Sequence, residues 1–330
     1  MAKSAPISAA SCPALAESII PIALQTHLKA MCKLRRRALE WSDPEGVHAM
    51  RVSSRRLRSA MSDFRPFVHA RLPRVKLRRI ADALGAVRDL DVALIALDGL
   101  SKQAKGEAAT GIQIIADESR ARRKDARAKL KNAIRPAVID EFRNEFQAGL
   151  KDLRLSKRSA AKLGALPVTL RDVGRQIIVE RTREVRAASL HLYFPFHIKE
   201  LHELRILTKR LRYAVELFGE CWRPSLRGAA KEISLLQTSL GELHDCDVWL
   251  EALSSRFKDG ERKHHRDERD ARVRAGATWL LRHFAAARMV HYRAAVARWQ
   301  EWTASNFLDK LDSVIAGSPD KPQARGTPKV

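Results

Sequence analysis

The sequence predicts an all-helical, all-α protein that is internally duplicated. Three observations carry this prediction: helix-forming residues dominate the composition, apolar residues recur at helical spacing between Pro and Gly breaks, and a pair of motifs occurs twice in the same order. Aromatic residues, which strands favour, make up only 6% of the chain. With 330 residues, 45% of them hydrophobic, the chain can bury two cores. We therefore expect two helical bundles of four helices each.

Breaks in the pattern set the predicted elements. The run Ser42-Asp43-Pro44-Glu45 predicts a helix start, with Ser42 or Asp43 as the N-cap, Pro44 near the first helical position and Glu45 completing a capping box. Pro66 and Pro136 end helices. The predicted helices of the first half span residues 14–41, 45–65, 72–97 and 111–135, with an amphipathic continuation to residue 153. Those of the second half span residues 169–192, 195–218 and 224–257, followed by a charged linker at 259–270 and a long helix that ends near residue 315. The predicted domains are an N-terminal extension at 1–13, a first bundle at 14–155, a second bundle at 165–316 and a disordered tail at 317–330.

The charge balance and the cysteines limit the class of protein. The chain has 62 Lys and Arg against 38 Asp and Glu and a formal net charge of +24, which attracts polyanions. No apolar stretch reaches the length of a membrane span, and prolines interrupt the N-terminal region. We therefore expect a cytoplasmic protein with no membrane association. The four cysteines form no CxxC pair, so neither a zinc site nor a disulfide framework is predicted.

The internal repeat consists of two motifs. VHAMRVSSRRLRSA at residues 47–60 aligns without a gap with LHELRILTKRLRYA at 201–214. LGAVRDLDV at 84–92 aligns with LGELHDCDV at 240–248. Two ungapped matches in the same order and at nearly the same offset indicate a duplication.

On a helix, the first motif separates into two neighbouring arcs. Val47, Met50 and Leu57 lie in an apolar arc, and the cations lie on its flank, where a helix meets its neighbours or lines a crevice. This cationic stripe is about 15 Å long at 1.5 Å rise per residue, and the second half repeats it. The eight stripe residues are His48, Arg51, Arg55, Arg58, His202, Arg205, Lys209 and Arg212.

Cations crowded on one flank repel one another, so each stripe needs a compensating charge. Either carboxylates on adjacent helices supply it, or a bound polyanion does. The duplication and the excess of positive charge favour the polyanion, because the whole chain lacks enough acid to neutralise both stripes.

The paired motifs resemble those of the CHAD family, the conserved histidine α-helical domain, over nearly the whole chain. They read HxxRVxxRRLR with LGxxRDxD, and HExRIxxKRLRYAxEL with LGxxHDxD. The resemblance implies two four-helix bundles with pseudo-two-fold symmetry around a basic central channel that binds inorganic polyphosphate, and an association with polyphosphate granules. It makes the eight stripe residues the channel-lining candidates. No ExExK signature of the CYTH domain, which accompanies many family members, is found, so the chain resembles a stand-alone member.

Further cations are weaker candidates. Arg56 and Arg210 match in the repeat but project from another arc, and His244 stands where the first half has Arg88, which implies less charge there at neutral pH. Other cations on flanking helices either extend the basic channel or are solvated surface charge. They are Lys76, Arg78, Arg122, Lys231 and Arg288.

The paired aspartates raise the question of a metal. Asp89 with Asp91, and Asp245 with Asp247, are two residues apart on a helix and point to different faces, which makes a poor chelate. We expect them to form salt bridges with the stripes, and we expect no metal and no cofactor. The pair at 264–265, two histidines inside the charged linker, is typical of a solvated loop.

Three classes of function are compatible with these features. A polyphosphate-binding protein needs basic channels without stacking groups, which is the pattern here. A nucleic-acid-binding protein is the alternative, because charge alone attracts DNA or RNA, but the stripe has no interleaved aromatics. A role as accessory to a phosphoanhydride-processing enzyme, or as such an enzyme, is the third. With no Walker A motif and no activated nucleophile, we predict binding rather than catalysis.

Overall fold

The computed structural model of the protein describes residues 7–156, 167–226, 228–261 and 267–317. This part of the chain is all-α, as predicted, and contains ten α-helices. The first five are α1 (Ala16–Lys33), α2 (Pro44–Phe64), α3 (Arg74–Ser101), α4 (Gly106–Ala133) and α5 (Pro136–Lys151). The second five are α6 (Leu170–Ala188), α7 (Ile198–Phe218), α8 (Ala229–Glu261), α9 (Glu268–Ala304) and α10 (Phe307–Ala316). Two strands of two residues, β1 (Val68–His69) and β2 (Arg154–Leu155), pair antiparallel.

The described residues of each half contain five α-helices rather than four, because two predicted segments break. Pro136 starts α5 as a separate helix after a turn at Ile134 and Arg135. In the second half, the long C-terminal segment breaks between α9 and α10 at Asn306, which has a left-handed φ of 52°. Asn tolerates this conformation better than most residues, so the chain can turn without Gly or Pro.

The start of α2 is the element that positions the first stripe. The Asp43 carboxylate accepts a hydrogen bond from the Glu45 amide at 2.9 Å, and Pro44 is the first helical residue. Before it, α1 ends at Lys33 and not near residue 41, and a 3₁₀ turn at Arg37–Leu39 lies between α1 and α2. A Cβ on Gly46 would lie 2.0 Å from the Arg37 carbonyl oxygen, so only Gly allows this close approach.

The two halves share their cores. One cluster of buried side chains joins α1, α2 and α5 with α6 and α7, and Phe64 meets Phe218 edge to face at 5.8 Å between ring centroids. A second cluster joins the C-terminal part of α3 and the start of α4 with α8 and α9. Arg181 on α6 also forms an ion pair with Asp63 on α2 at 2.8 Å. Helix α2 therefore packs against α7 from the other half.

Helices α4 and α9 cross at backbone contact. A Cβ on Gly111 of α4 would lie 1.9 Å from the carbonyl oxygen of Arg272, and one on Gly276 of α9 would lie 2.6 Å from the carbonyl carbon of Gly111. Neither position has room for a side chain, so two glycines set the distance between these helices.

A disulfide joins Cys12 to Cys221, which corrects the prediction that the cysteines form no such link. The segment before α1 runs beside the start of α6, where the Arg171 amide donates to the Cys12 carbonyl at 3.0 Å. Both cysteines are buried, and 209 residues separate them, so spacing along the chain carried no signal of the pairing. Because cytoplasmic thiols are kept reduced, a cytoplasmic chain would hold Cys12 and Cys221 as neighbouring thiols at this place.

Other expectations fall on parts of the chain that the structure does not describe. The tail from residue 318 and the two histidines at 264–265 lie outside the described residues. The domain boundaries stay a prediction. Among the described helices, none is long and apolar enough to cross a membrane.

Candidate functional site

The packing of α2 against α7 brings the two cationic stripes together. Arg51 and Arg55 from α2 and Arg205 and Lys209 from α7 lie at their centre, close enough for electrostatic interaction between the helices. We call these four side chains the central cluster. Burial together with neighbouring cations, among them Arg51, Arg212 and Arg205, lowers the pKa of Arg55. Burial likewise lowers the pKa of Arg205, with Arg51 among the cations that contribute. Charges from both halves of the chain therefore act on one another.

Among the members of the central cluster, Lys209 has the largest shift in pKa. Burial and the cations Arg205, Arg55 and Arg51 lower its pKa to about 8. Desolvation disfavours the ammonium form, and each nearby cation disfavours it further. The cations of the central cluster therefore repel one another, and a bound anion would relieve this repulsion.

Few carboxylates compensate the central cluster. Arg51 forms an ion pair with Asp89 at 3.1 Å, but Asp89 is 69% exposed. Within the described part of the chain, no carboxylate lies within 4.0 Å of the charged groups of Arg55, Arg205 or Lys209. The Nε of Arg55 is buried and has no hydrogen-bond partner there. A buried donor without a partner costs free energy, which adds to the cost of burying this guanidinium group.

Two glycines support the arginines of the central cluster in the same way in each half. Gly85 on α3 lies under Arg51, and Gly241 on α8 lies under Arg205. A Cβ at these glycines would be 3.7 Å and 3.8 Å from the respective Nε atoms. These are the glycines of the repeated LG dipeptide, so the second motif provides the surface on which the arginine of the first motif lies. Sequence reasoning did not assign this role, although the repeated glycine was a visible signal.

The histidines lie at the N-terminal end of each stripe. In the second half, Nδ1 of His202 lies 3.0 Å from Nδ1 of His244, which requires one proton between two rings. Burial and nearby cations, first Arg205, lower the pKa of His244 to about 4. In the first half, burial and then the charge of Arg88 lower the pKa of His48. All of these shifts favour neutral imidazoles in the absence of an anion.

The C-terminal ends of the two stripes differ from each other. Arg58 is exposed to solvent. Arg212 donates to Gln237 at 2.8 Å and forms an ion pair with Glu216 at 3.0 Å, and its guanidinium lies 4.8 Å from the ring centroid of Tyr213. The second stripe is therefore partly compensated at this end, whereas the first ends in an exposed cation.

The aspartates divide into two roles. Asp89 contacts the stripe, and Asp245 lies close enough to Arg205 to influence its pKa. The second aspartate of each motif is buried and contacts the next helix instead. Asp91 pairs with Arg123 on α4 at 3.3 Å, and Asp247 pairs with Arg288 on α9 at 2.6 Å. Among the described residues, no group of three or more His, Cys, Asp or Glu side chains is arranged to hold a metal ion.

The weaker candidates lie apart from the central cluster or are engaged in ion pairs. Lys76 contacts Glu141 at 2.7 Å and Glu145 at 2.5 Å on α5. Arg288 is buried against Asp247 and also donates to the Pro195 carbonyl at 2.7 Å, which makes it a core residue rather than part of a channel surface. Arg56 pairs with Glu216 at 3.6 Å, and Arg210 lies near the buried Asp63. The three remaining candidates, Arg78, Arg122 and Lys231, are exposed.

Together, the fold and the cluster define a class of protein: a helical bundle with a cationic cluster between two helices that few carboxylates compensate. The protein belongs to the CHAD domain family, whose sequence model matches residues 22–254. A search of curated proteins found no match to this chain.

Two solved structures are similar in fold. The CHAD domain from the plant Ricinus communis is 22% identical, with a TM-score of 0.67 over 89% of this chain and 96% of that one. PptA from Streptomyces chartreusis is 14% identical, with a TM-score of 0.63 over 87% of this chain and all of that one (100%). At these identities the similarity concerns the fold.

Proposed function

We propose that the protein binds inorganic polyphosphate through the central cluster and the stripes that extend it along α2 and α7. The observation that carries the proposal is the set of half-buried cations Arg55, Arg205 and Lys209, which both halves contribute and which have no carboxylate partner among the described residues. Burying like charges together is unfavourable unless an anion compensates them. A polyanion supplies that charge without a change in the fold.

The length of the stripes favours a chain of phosphates over a single one. From His48 to Arg58 the helix rises about 15 Å at 1.5 Å per residue, so several phosphate groups can lie along it at once. Guanidinium groups hold phosphate oxygens with two parallel hydrogen bonds, and three of the four cluster residues are arginines. Orthophosphate can make only a few of these contacts at a time, and we expect it to bind far more weakly.

Nucleic acid is the alternative polyanion, and the arrangement of the site favours it less. Single-stranded nucleic acids bind to exposed aromatic side chains, on which bases stack. On α2 and α7 the aromatic residues Phe64, Tyr213 and Phe218 are all buried. The cations of the central cluster are half-buried where α2 packs against α7, and a thin chain of phosphates reaches half-buried cations more easily than a duplex does.

Binding without hydrolysis is part of the proposal. The cations are spread along two helices rather than gathered around one phosphoanhydride bond. Such an array stabilises the bound chain equally before and during bond cleavage, and uniform binding does not accelerate a reaction. Association with polyphosphate granules stays a prediction from the family resemblance.

A charge-matched pair of triple variants tests the site. Replacing Arg51, Arg55 and Arg205 with Gln removes three charges from the central cluster, and replacing Arg36, Arg282 and Arg293 with Gln removes three exposed charges elsewhere. Charge-assisted hydrogen bonds contribute about 1.5–3 kcal/mol each, so we expect the cluster variant to lose at least about 100-fold in affinity for long-chain polyphosphate. The matched variant should lose only what the reduced field costs.

The measurement is isothermal titration at fixed salt, with duplex DNA as a competitor and ³¹P NMR to follow any release of orthophosphate. Equal losses in the two variants would show that only the overall charge of the protein matters. Tighter binding of duplex DNA than of polyphosphate at the same salt would favour the nucleic-acid alternative, and release of orthophosphate would contradict binding without hydrolysis.

A further inference from the structure

A second basic surface lies away from the central cluster. A cleft of about 930 Å³ opens where the turn between α2 and α3 passes over the C-terminal part of α5. Gly149 on α5 makes the turn possible, because a Cβ there would lie 2.3 Å from the Arg71 carbonyl oxygen. The cleft is thus held in place by contact between backbones, and its volume is in the range of small-ligand sites.

Three arginines line this cleft: Arg65, Arg71 and Arg74. None of them forms an ion pair with a carboxylate in the part of the chain that the structure describes. Burial and the neighbouring charge of Arg65 lower the pKa of Arg74, so these two guanidinium groups lie close together without an acid between them. Of the two carboxylates that line the cleft, Asp152 and Glu145, the latter is already bound by Lys76.

The start of α3 adds to the positive potential of the cleft. Arg74 is its first residue, Pro73 offers no capping side chain, and the first turn contains no acidic residue. The free amide groups and the positive end of the helix dipole are therefore uncompensated. They supplement the arginines, whose arrangement around the cleft is the main observation.

The cleft lies in the first half of the chain. Arg65 lies seven residues, or about two helical turns, beyond Arg58, so it continues the face of α2 that carries the stripe. The corresponding position in the second half, counted from the aligned histidines His48 and His202, is Gly219. The first stripe thus continues into a cation at a position where the second half has a glycine.

We propose that this cleft is a second anion site, which binds a short run of phosphate groups. The run has two possible sources, free tripolyphosphate or the end of a long polyphosphate chain, and only the second source rests on the proposed function. Three guanidinium groups around one cleft match the closely spaced oxygens of two or three linked phosphates better than a single carboxylate.

Titration of the full chain with tripolyphosphate tests the cleft. The background is the Arg51→Gln, Arg55→Gln, Arg205→Gln variant, in which the central cluster no longer competes. To this background we add either the cleft substitutions Arg65→Gln, Arg71→Gln and Arg74→Gln or the exposed substitutions Arg36→Gln, Arg282→Gln and Arg293→Gln. We expect the background to bind one tripolyphosphate, the cleft substitutions to weaken it by at least about 30-fold, and the exposed substitutions to weaken it by less than about threefold.

Equal weakening by the two sets, or no binding to the background, would overturn the proposal. Arg65→Gln alone, at the exposed end of α2, serves if the triple substitution unfolds the chain, and it should weaken binding by about fivefold. The source follows from ³¹P NMR with long-chain polyphosphate and wild-type protein. If the terminal phosphate signal broadens and the cleft substitutions abolish this broadening, the bound group is the end of the long chain. If the signal does not broaden although tripolyphosphate binds, the bound group is the free anion. If the background variant keeps full affinity for long-chain polyphosphate, the proposed function fails while the result for the cleft stands.

Discussion

The two halves of the molecule carry the same two motifs on equivalent helices, α2 with α3 and α7 with α8, but they balance the charge of these motifs differently. In the first half, His48 faces Arg88, and Arg51 has an ion pair with Asp89. In the second half, His202 faces His244, and Arg205 has no carboxylate within 4.0 Å among the described residues. The first half is therefore permanently charged at a position where the second gains charge only by taking up a proton. A repeated site need not respond twice to the same condition.

The halves also differ in how their buried aspartates are paired. The side chains of Asp247 and Arg288 in the second half are each only 7% exposed. In the first half, Asp91 is as deeply buried, but its partners Arg123 and Arg127 are 30% and 23% exposed. The second pair is a closed core interaction, whereas the first keeps its guanidinium groups partly in water.

The largest expected effect is on the free energy of unfolding, and it tests the difference in burial between the two aspartate–arginine pairs. Asp247→Asn leaves the Arg288 charge buried without a partner, which costs about 3–5 kcal/mol of unfolding free energy. Asp91→Asn should cost about 1–2 kcal/mol, because water solvates the guanidinium groups that it leaves. Urea unfolding of both variants measures the two losses. The double variant Asp247→Asn, Arg288→Met should recover part of the stability, and equal losses in the two single variants would contradict the comparison.

A smaller effect concerns Lys209 and Arg55, which occupy equivalent positions in the two stripes. Burial and its cationic neighbours lower the pKa of Lys209 to about 8, and a bound polyanion raises that pKa because it favours the ammonium form. Above pH 8 the free protein has lost this proton and the complex retains it, so affinity for polyphosphate falls as the pH rises. Between pH 7.5 and pH 9.5 we expect a loss of about tenfold.

Lys209→Arg should remove most of this loss, since a guanidinium keeps its charge over the whole range. Isothermal titration at constant ionic strength measures the affinity of both proteins for polyphosphate at the two pH values. A wild-type affinity that is the same at both pH values would show that Lys209 does not contact the ligand.

The smallest expected effect comes from exchanging Arg88 and His244, the residues that face His48 and His202. Burial and then nearby cations lower the pKa of His202 and His244, so binding of a polyanion takes up protons here and affinity rises as the pH falls from 7.5 to 5.5. His244→Arg should bind about threefold more tightly at pH 7.5 and respond less to pH. Arg88→His should do the reverse.

Affinities for long-chain polyphosphate at the two pH values measure both exchanges. If they change the pH response in the same direction, the histidine pair is not its source.

Local chemistry made several elements predictable. Helix α2 was expected at residues 45–65 and lies at Pro44–Phe64, because Asp43 and Pro44 start it and Pro66 follows it. The flank position of the stripe followed from helical spacing alone. The salt bridge of Asp89 to Arg51 confirms, for this aspartate, the expectation that the paired aspartates form salt bridges with the stripes.

The remaining features depend on which distant residues meet. The pKa of Lys209 depends on Arg55 and Arg51 from the other half. Asp91 and Asp247 contact the next helix instead of the stripes, because their side chains point to another face of α3 and α8. The break at Asn306 has no Pro or Gly to announce it, and the partner of Cys12 lies 209 residues away.

The crossing of α4 and α9 at Gly111 and Gly276 has a consequence for the thermodynamics of binding. Because these helices already touch through their backbones, and α3 and α8 pack in the same cluster, the two halves have little room to move closer on ligand binding. The cations are then held in position before the ligand arrives. A rigid host of this kind spends little of its binding free energy on reorganisation, so most of the relieved repulsion contributes to affinity.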